Sequence, residues 1–270
     1  MKYDPVKGLI GRVVRDNIPL RKLFYKLLGL IFLREWHVKR ELRSILRNAT
    51  KPLRILDAGA GFGQYSYYCA KRSPSSSIHA VDVKAEQVDD CTRFFKSAKL
   101  DNVRFAVEDL MQIEHTDEFD LAISVDVMEH IPDDVTAFRN LHRSLRRGGT
   151  LLVNTPSNLG GSDAHAPQDK SFIEEHARTG YGVEEIRRKL ESAGFTVERI
   201  AFTYGPYGSV AWRLGIKYPM VMLNASRLFF LLLPFYYLLM LPFTLLLMYL
   251  DYAMTNKTGT GLLVIAKKSS

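Results

Sequence analysis

Short apolar segments recur along the first two thirds of the chain, and most of them end in an acidic residue. A segment of this length with few polar interruptions is typical of a buried strand in a parallel sheet. The stretches between these segments repeat apolar positions at helical spacing, so strands and helices alternate. The predicted strands are residues 53–58, 78–83, 103–107, 119–124 and 150–154. This order predicts an α/β fold with a doubly wound, mostly parallel sheet.

The first predicted strand runs into three glycines at a spacing of two residues. Asp57 closes the strand, and Gly59, Gly61 and Gly63 follow before a helical pattern begins. Glycine accepts positive φ and lets a ligand approach the backbone, and the following helix directs its N–H groups at the turn. A dinucleotide-binding turn would place its third glycine one residue later, where this chain has Gln64. The pattern D-x-G-x-G-x-G resembles motif I of the class I S-adenosylmethionine-dependent methyltransferases.

Acidic residues after the next strands extend this resemblance, which covers roughly residues 50–204 and the last ten residues. Asp82 is placed to accept hydrogen bonds from both ribose hydroxyls of a nucleoside. In the family, the acid that corresponds to Asp109 bonds the adenine amino group, and the next apolar residue packs on the ring. The resemblance implies a seven-stranded sheet and S-adenosyl-L-methionine as the cofactor. The expected cofactor-binding residues are Asp57, Gly59, Gly61, Gly63, Asp82, Val83, Asp109, Leu110 and Ser124.

The most apolar part of the chain is Leu228 to Leu250, twenty-three residues without a charge. A straight helix of this length would extend about 35 Å, enough to cross a hydrocarbon core of about 30 Å. The resemblance makes residues 259–268 the final strand, inserted antiparallel beside residues 195–203. The chain must then leave the apolar region on the side where it entered. Pro234 and Pro242 are therefore expected to kink or break the helix.

Residues 205–258 are expected to form a helical hairpin or broken helices that lie in a membrane interface or dip into one leaflet. A hydrophobic dimer interface or an oversized core helix would also bury such a segment. The methyltransferase domain itself is expected to comprise residues 51–204 and 259–270. Basic residues on both sides of the apolar stretch 228–250 favour the cytoplasmic side of the membrane. These flanking residues are Arg213, Lys217, Arg227 and Lys257.

The net charge of +8 is concentrated in residues 1–51, which hold thirteen basic and four acidic residues. The rest of the chain is almost neutral, so a nucleic-acid substrate across the catalytic domain is not expected. Residues 1–50 are expected to form a basic, amphipathic helical segment drawn to anionic lipid. A helix packed over the sheet with its basic side in water is the alternative. The basic residues of the most amphipathic part are Arg21, Lys22, Lys26 and Arg34.

The two cysteines, Cys69 and Cys91, match no metal-binding spacing. They are expected to be reduced, buried thiols, which fits a cytoplasmic setting. The first thirty residues do not show a signal-peptide pattern. The predicted location is therefore the cytoplasmic side of a membrane, as a peripheral or monotopic protein.

Candidates for the methyl-acceptor side follow the fourth and fifth strands, because ligands bind at the carboxyl ends of parallel strands. Asp126, Glu129 and His130 form the pattern D-x-x-E-H. Relatives that methylate quinone-precursor hydroxyls carry E-x-x-E-H at this place and bind a divalent cation. The shorter Asp126 departs from that pattern, and no metal is expected. His130 is expected to act as a general base or to have a structural role.

The polar segment 158–181 holds far more ionisable residues than a connector needs and is expected to form a lid over the acceptor. His165 and His176 are candidate catalytic residues within it, and Asp163 is spaced to orient His165. A solvated helix start is the alternative. The other histidines are expected to be structural or exposed; they are His37, His79, His115 and His142.

These patterns predict an S-adenosylmethionine-dependent methyltransferase that acts at the membrane surface on a lipid or lipid-linked acceptor. A prenylated quinone precursor or a polyprenyl-linked intermediate is an example, and oxygen is the favoured methyl acceptor. Two alternatives stay open. The apolar insertion could tether an enzyme with a soluble substrate, or the chain could be a non-catalytic scaffold that binds the cofactor. The oligomeric state is left open.

Overall fold

Seven strands form one sheet in the computed structural model, which describes residues 17–160, 177–226 and 229–269. The sheet order is β3-β2-β1-β4-β5-β7-β6, and β7 is antiparallel to both of its neighbours. The other pairs are parallel, so the predicted seven-stranded α/β sheet is confirmed. The strands are β1 Arg54–Ala58, β2 Ser77–Asp82, β3 Val103–Val107, β4 Phe119–Val125, β5 Leu145–Pro156, β6 Phe195–Thr203 and β7 Gly261–Lys268.

Helices cover both faces of this sheet, as strands that are apolar on both sides require. On one face α5 and α6 pack through residues such as Phe138 and Leu190. On the other face α2 and α3 pack through residues such as Leu42 and Tyr65. Cys69 and Cys91 are buried free thiols, as predicted. The helices are α1 Ile18–Ile31, α2 Leu33–Asn48, α3 Gln64–Arg72, α4 Ala85–Ser97, α5 Asp134–Ser144, α6 Val183–Ser192, α7 Pro206–Trp212, α8 Tyr218–Ala225 and α9 Phe229–Ala253.

Helix α5 ends earlier than the sequence pattern predicts. The helical pattern that starts at residue 135 stops at Gly148 and Gly149 and predicts a helix to residue 147, but α5 ends at Ser144 and β5 begins directly after it. Along β4 and β5 the pairing shifts register, so extra residues of β5 bulge out of the ladder. Gly148 supplies the positive φ of +74° at this bulge. The glycine pair therefore marks a bulge within a strand instead of a helix end.

The insertion before β7 forms a helical hairpin, but its prolines do not break it. One arm is a continuous helical run of α7, a π-helical segment over Arg213–Lys217, and α8. The other arm is α9, which returns the chain to the sheet. Pro234 and Pro242 lie inside α9 on its exposed side, and the helix is continuous through both, so of the two expected outcomes, a kink or a break, the break does not occur. A proline removes one helical hydrogen bond, and packing against α7 keeps the rest of the helix in register.

Two tyrosine hydroxyls join the arms of this hairpin. Pro219 has no N–H, so the preceding turn lacks one donor for its carbonyl groups. Tyr236 donates to the carbonyl oxygen of Leu214 at 2.7 Å, and Tyr237 donates to that of Gly215 at 2.9 Å. The tyrosine hydroxyls of one arm thereby supply hydrogen-bond donors to backbone carbonyl groups of the other arm.

Candidate active site

The glycine turn between β1 and α3 forms an open cradle at the carboxyl edge of the sheet. Gly59, Gly61 and Gly63 all have positive φ, at +86°, +53° and +74°. A Cβ atom on Gly59 would collide with the side chain of Val127, so only glycine fits at that position. A Cβ atom on Gly61 would meet no atom within 4 Å. The backbone at Gly61 therefore faces open space that a ligand can enter.

Two carboxylates support this turn from within the protein. Asp82 accepts hydrogen bonds from the backbone N–H groups of Gly61 and Lys84, both at 2.9 Å. Asp57 is buried and accepts a hydrogen bond from the Ser66 hydroxyl at 2.6 Å. Burial raises the pKa of Asp57 to about 6, and the hydrogen bond from Ser66 opposes this rise. Asp82 retains free lone pairs for a ribose hydroxyl, since each carboxylate oxygen accepts two hydrogen bonds.

The predicted adenine-binding residues follow β2 and β3 at the same edge. Val83 is 60% exposed and can pack against a bound ring. Asp109 accepts a hydrogen bond from the backbone N–H of Met111 at 2.9 Å, which fixes its carboxylate. Leu110 is buried in the core with its carbonyl oxygen bonded to Asn140, so little of its side chain faces the edge. The neighbouring positions fit a nucleoside, and their contacts with it stay a prediction.

Ser124, the last predicted cofactor residue, lies near the end of β4 and is fully buried. Its hydroxyl has no hydrogen-bond partner among the described residues. A buried hydroxyl without a partner is unfavourable, so a bound polar group beside it would be stabilised. This orphan hydroxyl and the open space at Gly61 are the features that fit the cofactor predicted from the sequence.

Helix α1 clamps the outer side of the glycine turn. Arg21 is only 1% exposed, pairs with Asp90 and donates to the carbonyl oxygen of Phe62 at 3.0 Å. Tyr25 donates to the same carbonyl oxygen at 2.5 Å. The sequence placed Arg21 on a lipid-facing basic surface, and that assignment is wrong. Its partners Asp90 and Phe62 lie far along the chain, and no local pattern reveals them.

A polar cluster on the acceptor side joins the ends of β4 and β5 to helix α2. Asp126 has a positive φ of +53°, pairs with Arg34 and accepts a hydrogen bond from the Asn154 amide at 3.0 Å. The backbone N–H of Arg34 donates to the Tyr204 hydroxyl at 3.2 Å. Left-handed backbone at a residue other than glycine is common at functional sites. The sequence pattern placed Arg34 among the lipid-facing basic residues, which its pairing with Asp126 contradicts, and it did not single out Asn154, although Asn154 stands at a predicted strand end.

Glu129 is the buried carboxyl group of this region. It is 1% exposed, and its Oε2 accepts a hydrogen bond from the Thr155 hydroxyl at 3.1 Å. Burial raises the pKa of Glu129 to about 7, against the opposing effects of the Thr155 hydrogen bond and the Arg34 charge. A carboxyl group that ionises near neutral pH can act as a general base. The sequence pattern assigned this role to the neighbouring imidazole of His130 instead.

Of the three histidines predicted to be catalytic, only His130 lies among the described residues. His130 lies on the exposed side of the short 3₁₀ turn Met128–His130. His165 and His176 lie outside the described residues. The described chain resumes at Ala177 beside this site, since the N–H of Ala177 donates to the carbonyl oxygen of Glu129 at 2.9 Å. The lid expected over the acceptor therefore has one end beside Glu129, and its role stays a prediction.

The D-x-x-E-H pattern does not converge on a common point. Asp126 faces Arg34, whereas Glu129 faces Thr155 and His130 is exposed. Within the part of the chain that the structure describes, the one group of three residues whose ligand atoms come together lies elsewhere. This group is His79, Glu108 and His115.

Comparison with known proteins identifies the family of this chain. Residues 49–194, more than half of the chain, match the family described as "Methyltransferase domain". The chain belongs to this methyltransferase family. Its cofactor is S-adenosyl-L-methionine, as the sequence predicted.

Curated relatives of this methyltransferase include two bacterial proteins. Malonyl-[acyl-carrier protein] O-methyltransferase of a Paenibacillus species is 30% identical over 145 residues, which are 53% of this chain and 50% of that protein. Malonyl-[acyl-carrier protein] O-methyltransferase 1 of Ilyobacter polytropus is 28% identical over 122 residues, 45% of each chain. The chain therefore spans about half the length of these relatives.

Among solved structures, the methyltransferase resembles phosphoethanolamine N-methyltransferase 2 of Haemonchus contortus in complex with phosphomonomethylethanolamine and S-adenosylhomocysteine. The TM-score is 0.61 at 20% identity, over 87% of this chain and 53% of that chain. At this identity the similarity shows the shared fold.

Proposed function

We propose that this methyltransferase acts at a membrane surface and transfers a methyl group to an oxygen atom of a lipid or lipid-linked acceptor. The exposure of α9 is the observation that carries this proposal. Leu231, Phe235 and Leu238 are each more than 70% exposed, and only 6% of the most apolar 18-residue window is buried. An apolar surface of this size needs a covering partner, and the alternative of an oversized core helix does not fit such exposure.

Helix α1 presents a second apolar surface with the character of an interfacial helix. Leu23, Leu27 and Leu30 are exposed at positions i, i+4 and i+7, so they form one stripe. Lys22 and Lys26 are exposed beside this stripe, where they can reach anionic headgroups. The same helix clamps the glycine turn through its opposite side.

Trp36 brings α1 and the hairpin together. Its indole N–H donates to the carbonyl oxygen of Gly29 at the end of α1, at 2.8 Å. Its ring packs edge-on against Tyr252 at the base of α9, with 5.8 Å between the ring centres. The two apolar surfaces are therefore adjacent at this point, which supports a common orientation toward one membrane.

The base of the hairpin also adjoins the acceptor-side cluster. Leu33 packs with Ala211 and Met248 in an apolar cluster at this base. The next residue, Arg34, pairs with Asp126 beside Asn154. An acceptor held by the hairpin would thus need to travel only a short way to reach the polar site.

Oxygen is the proposed methyl acceptor because a proton must be removed from a hydroxyl group during transfer. Glu129 is buried in this region with a pKa raised to about 7, and it is suited to accept that proton. The names of the two bacterial relatives also specify O-methyl transfer. The bound cofactor would supply the reactive methyl group.

Vesicle binding tests the membrane part of the proposal. The triple variant Leu231→Asp, Phe235→Asp and Leu238→Asp should lose flotation with vesicles of mixed neutral and anionic lipid. A matched control adds the same charge at three exposed serines and should float like the wild type. The control substitutions are Ser75→Asp, Ser97→Asp and Ser192→Asp. Equal flotation of all three proteins, or none by the wild type, would contradict membrane action.

The acceptor is identified by incubating the purified protein with native membranes and a cofactor labelled in its methyl group. We expect the label in the organic extract and, after hydrolysis, in a methyl ether or ester. Deletion of residues 207–257 behind a short linker should abolish that incorporation. If the deleted protein still methylates water-soluble extract, the hairpin is a tether for an enzyme with a soluble substrate. Cofactor binding without any labelled product would favour the scaffold.

A further inference from the structure

A cluster of two imidazoles and one carboxylate stands beside the adenine end of the cofactor site. His79 comes from the middle of β2, Glu108 directly follows β3, and His115 lies in the connection to β4. The Nε2 atom of His79 lies 2.8 Å from Oε1 of Glu108, and that of His115 lies 2.9 Å from Oε2. No sequence pattern groups these three residues, because they come from separate elements.

We propose that His79, Glu108 and His115 form a binding site for a divalent transition-metal ion, with Zn²⁺ as the best-matched ion. Two imidazoles and a carboxylate are a ligand set typical of zinc. Their ligand atoms all lie within 4.8 Å of one another. A tetrahedral zinc site needs ligand atoms about 3.3 Å apart, so small side-chain movements complete it.

Glu118 strengthens this assignment by fixing the orientation of one ligand. Its Oε1 lies 3.2 Å from Nδ1 of His115, on the side of the ring away from Glu108. A neutral imidazole has one N–H, and donation from Nδ1 to Glu118 leaves a lone pair on Nε2. That lone pair would face a carboxylate oxygen unless a second proton or a cation lies between them. A metal-bound histidine has this arrangement, with its other nitrogen bonded to a carboxylate.

The cluster is accessible and has room for another ligand. The three side chains are 16–24% exposed, so an ion can enter. Glu108 and His115 line a surface cavity of about 500 Å³, together with Asp109 and Gln112. A water molecule can therefore occupy a fourth position. Because Glu108 precedes Asp109 in the chain, a bound ion would also fix the backbone at the predicted adenine contact.

The competing explanation is a hydrogen-bonded cluster without metal. Phe119 stacks on His79 at an interplanar angle of 10° and meets the His115 ring nearly edge-on at 81°. These contacts give the two rings a packing role whether or not a metal is present. The two explanations differ in what they predict for metal binding, since packing alone gives no stoichiometric site.

Titration of the full chain, after removal of metal with a chelator, tests the proposal. We expect one Co²⁺ per chain with visible absorption bands of tetrahedral coordination, and displacement of Co²⁺ by one Zn²⁺. Bound Zn²⁺ should also raise the melting temperature, because the ion binds the native state preferentially. The absence of a saturable one-to-one Co²⁺ spectrum in the wild type would overturn the site, whatever the variants do.

Four variants locate the ion. Glu108→Gln and His115→Gln should weaken Zn²⁺ binding by at least roughly 100-fold, since each removes a ligand. Glu118→Gln should weaken it by about 10–100-fold with the stoichiometry unchanged, because it removes only the orienting partner. His142→Gln, at a half-buried histidine outside the cluster, should bind as the wild type does. An unchanged Co²⁺ spectrum in Glu108→Gln would overturn the assignment, and circular dichroism checks that each variant is folded.

Discussion

Glu129 is a carboxyl group whose proton affinity is set by the fold around it. Its ordinary pKa is near 4.5, and burial raises it to about 7. Between these values the unfolded chain loses the proton while the native protein keeps it. The native state therefore binds more protons, and this group lowers the free energy of unfolding as pH rises from 4.5 to 7. The same property makes the carboxylate available as a base at neutral pH.

Substitution Glu129→Gln tests both consequences. Methyl transfer to native membranes should fall by roughly 100-fold or more. Wild-type activity is expected to rise through pH 7 as Glu129 loses its proton, and the variant should not show this rise. Between pH 4.5 and 7, the free energy of unfolding in urea should decline less for the variant than for the wild type. Glu191→Gln, at an exposed position of α6, is the control for a charge change alone. A loss of activity in His130→Gln instead would return the base role to that histidine.

Alanine variants at two glycines can separate the effect of backbone strain on stability from the effect of a side chain on ligand binding. Gly61 and Gly148 both have positive φ, and a Cβ atom on either would meet no atom within 4 Å. Replacement of either by alanine should therefore lower stability by about 1–2 kcal/mol through the backbone alone. Only Gly61→Ala should also weaken S-adenosylhomocysteine binding in calorimetry, because its new methyl group enters the cradle. Equal affinities in the two variants would remove Gly61 from the site.

Among the elements, the hairpin shows how a helix can contain prolines and remain continuous. The sequence pattern correctly predicts a helical insertion before the last strand, because a long uncharged stretch favours helix and the chain must return to the sheet after it. It does not predict the position of the turn. That position depends on packing between α7 and α9 and on the tyrosine hydroxyls that reach Leu214 and Gly215.

Removal of those hydroxyls should destabilise the hairpin. The double variant Tyr236→Phe and Tyr237→Phe leaves carbonyl oxygens without donors, at a cost of about 1–3 kcal/mol for each one that stays buried. Pro219→Ala restores one backbone N–H and should recover part of that loss. Thermal unfolding in detergent micelles measures this coupling as a double-mutant cycle. Tyr249→Phe, on the exposed face of α9, should unfold like the wild type.

Helix α1 serves two environments with its opposite sides. One side carries the exposed leucine stripe, and the other side is buried against the glycine turn. The sequence pattern of basic and apolar residues indicates an amphipathic helix but does not tell which basic residue is buried. Arg21 is the buried one because it pairs with the carboxylate of Asp90, which lies sixty-nine positions along the chain.

The buried pair of Arg21 and Asp90 gives a test of this attachment. Arg21→Met alone leaves Asp90 buried without its partner and should cost about 3–5 kcal/mol in urea unfolding. Adding Asp90→Leu should recover much of this loss, because two apolar side chains can replace the pair. Lys22→Met, at an exposed position of the same helix, should have little effect. Equal costs in the single and double variants would mean that packing, and not charge, holds α1 in place.

For the whole molecule, the structure joins the exposed apolar surfaces of α1 and α9 to the methyltransferase domain at one place. Trp36 lies between α1 and the base of α9, and the adjoining Leu33 and Arg34 link the hairpin to the acceptor-side cluster. Helix α2 would therefore contribute residues both to membrane contact and to acceptor binding. The vesicle and labelling experiments test this arrangement.

The sequence by itself determines the order of strands and helices, the glycine cradle and the acids beside it. It does so because these features are local: a strand period, a turn that needs positive φ, and acids at strand ends. Tertiary structure alone decides that Arg34 meets Asp126, that Arg21 is buried, and that two distant histidines share the Glu108 carboxylate. These contacts join residues from separate elements, and only the packing of helices on the sheet brings them within a few ångströms.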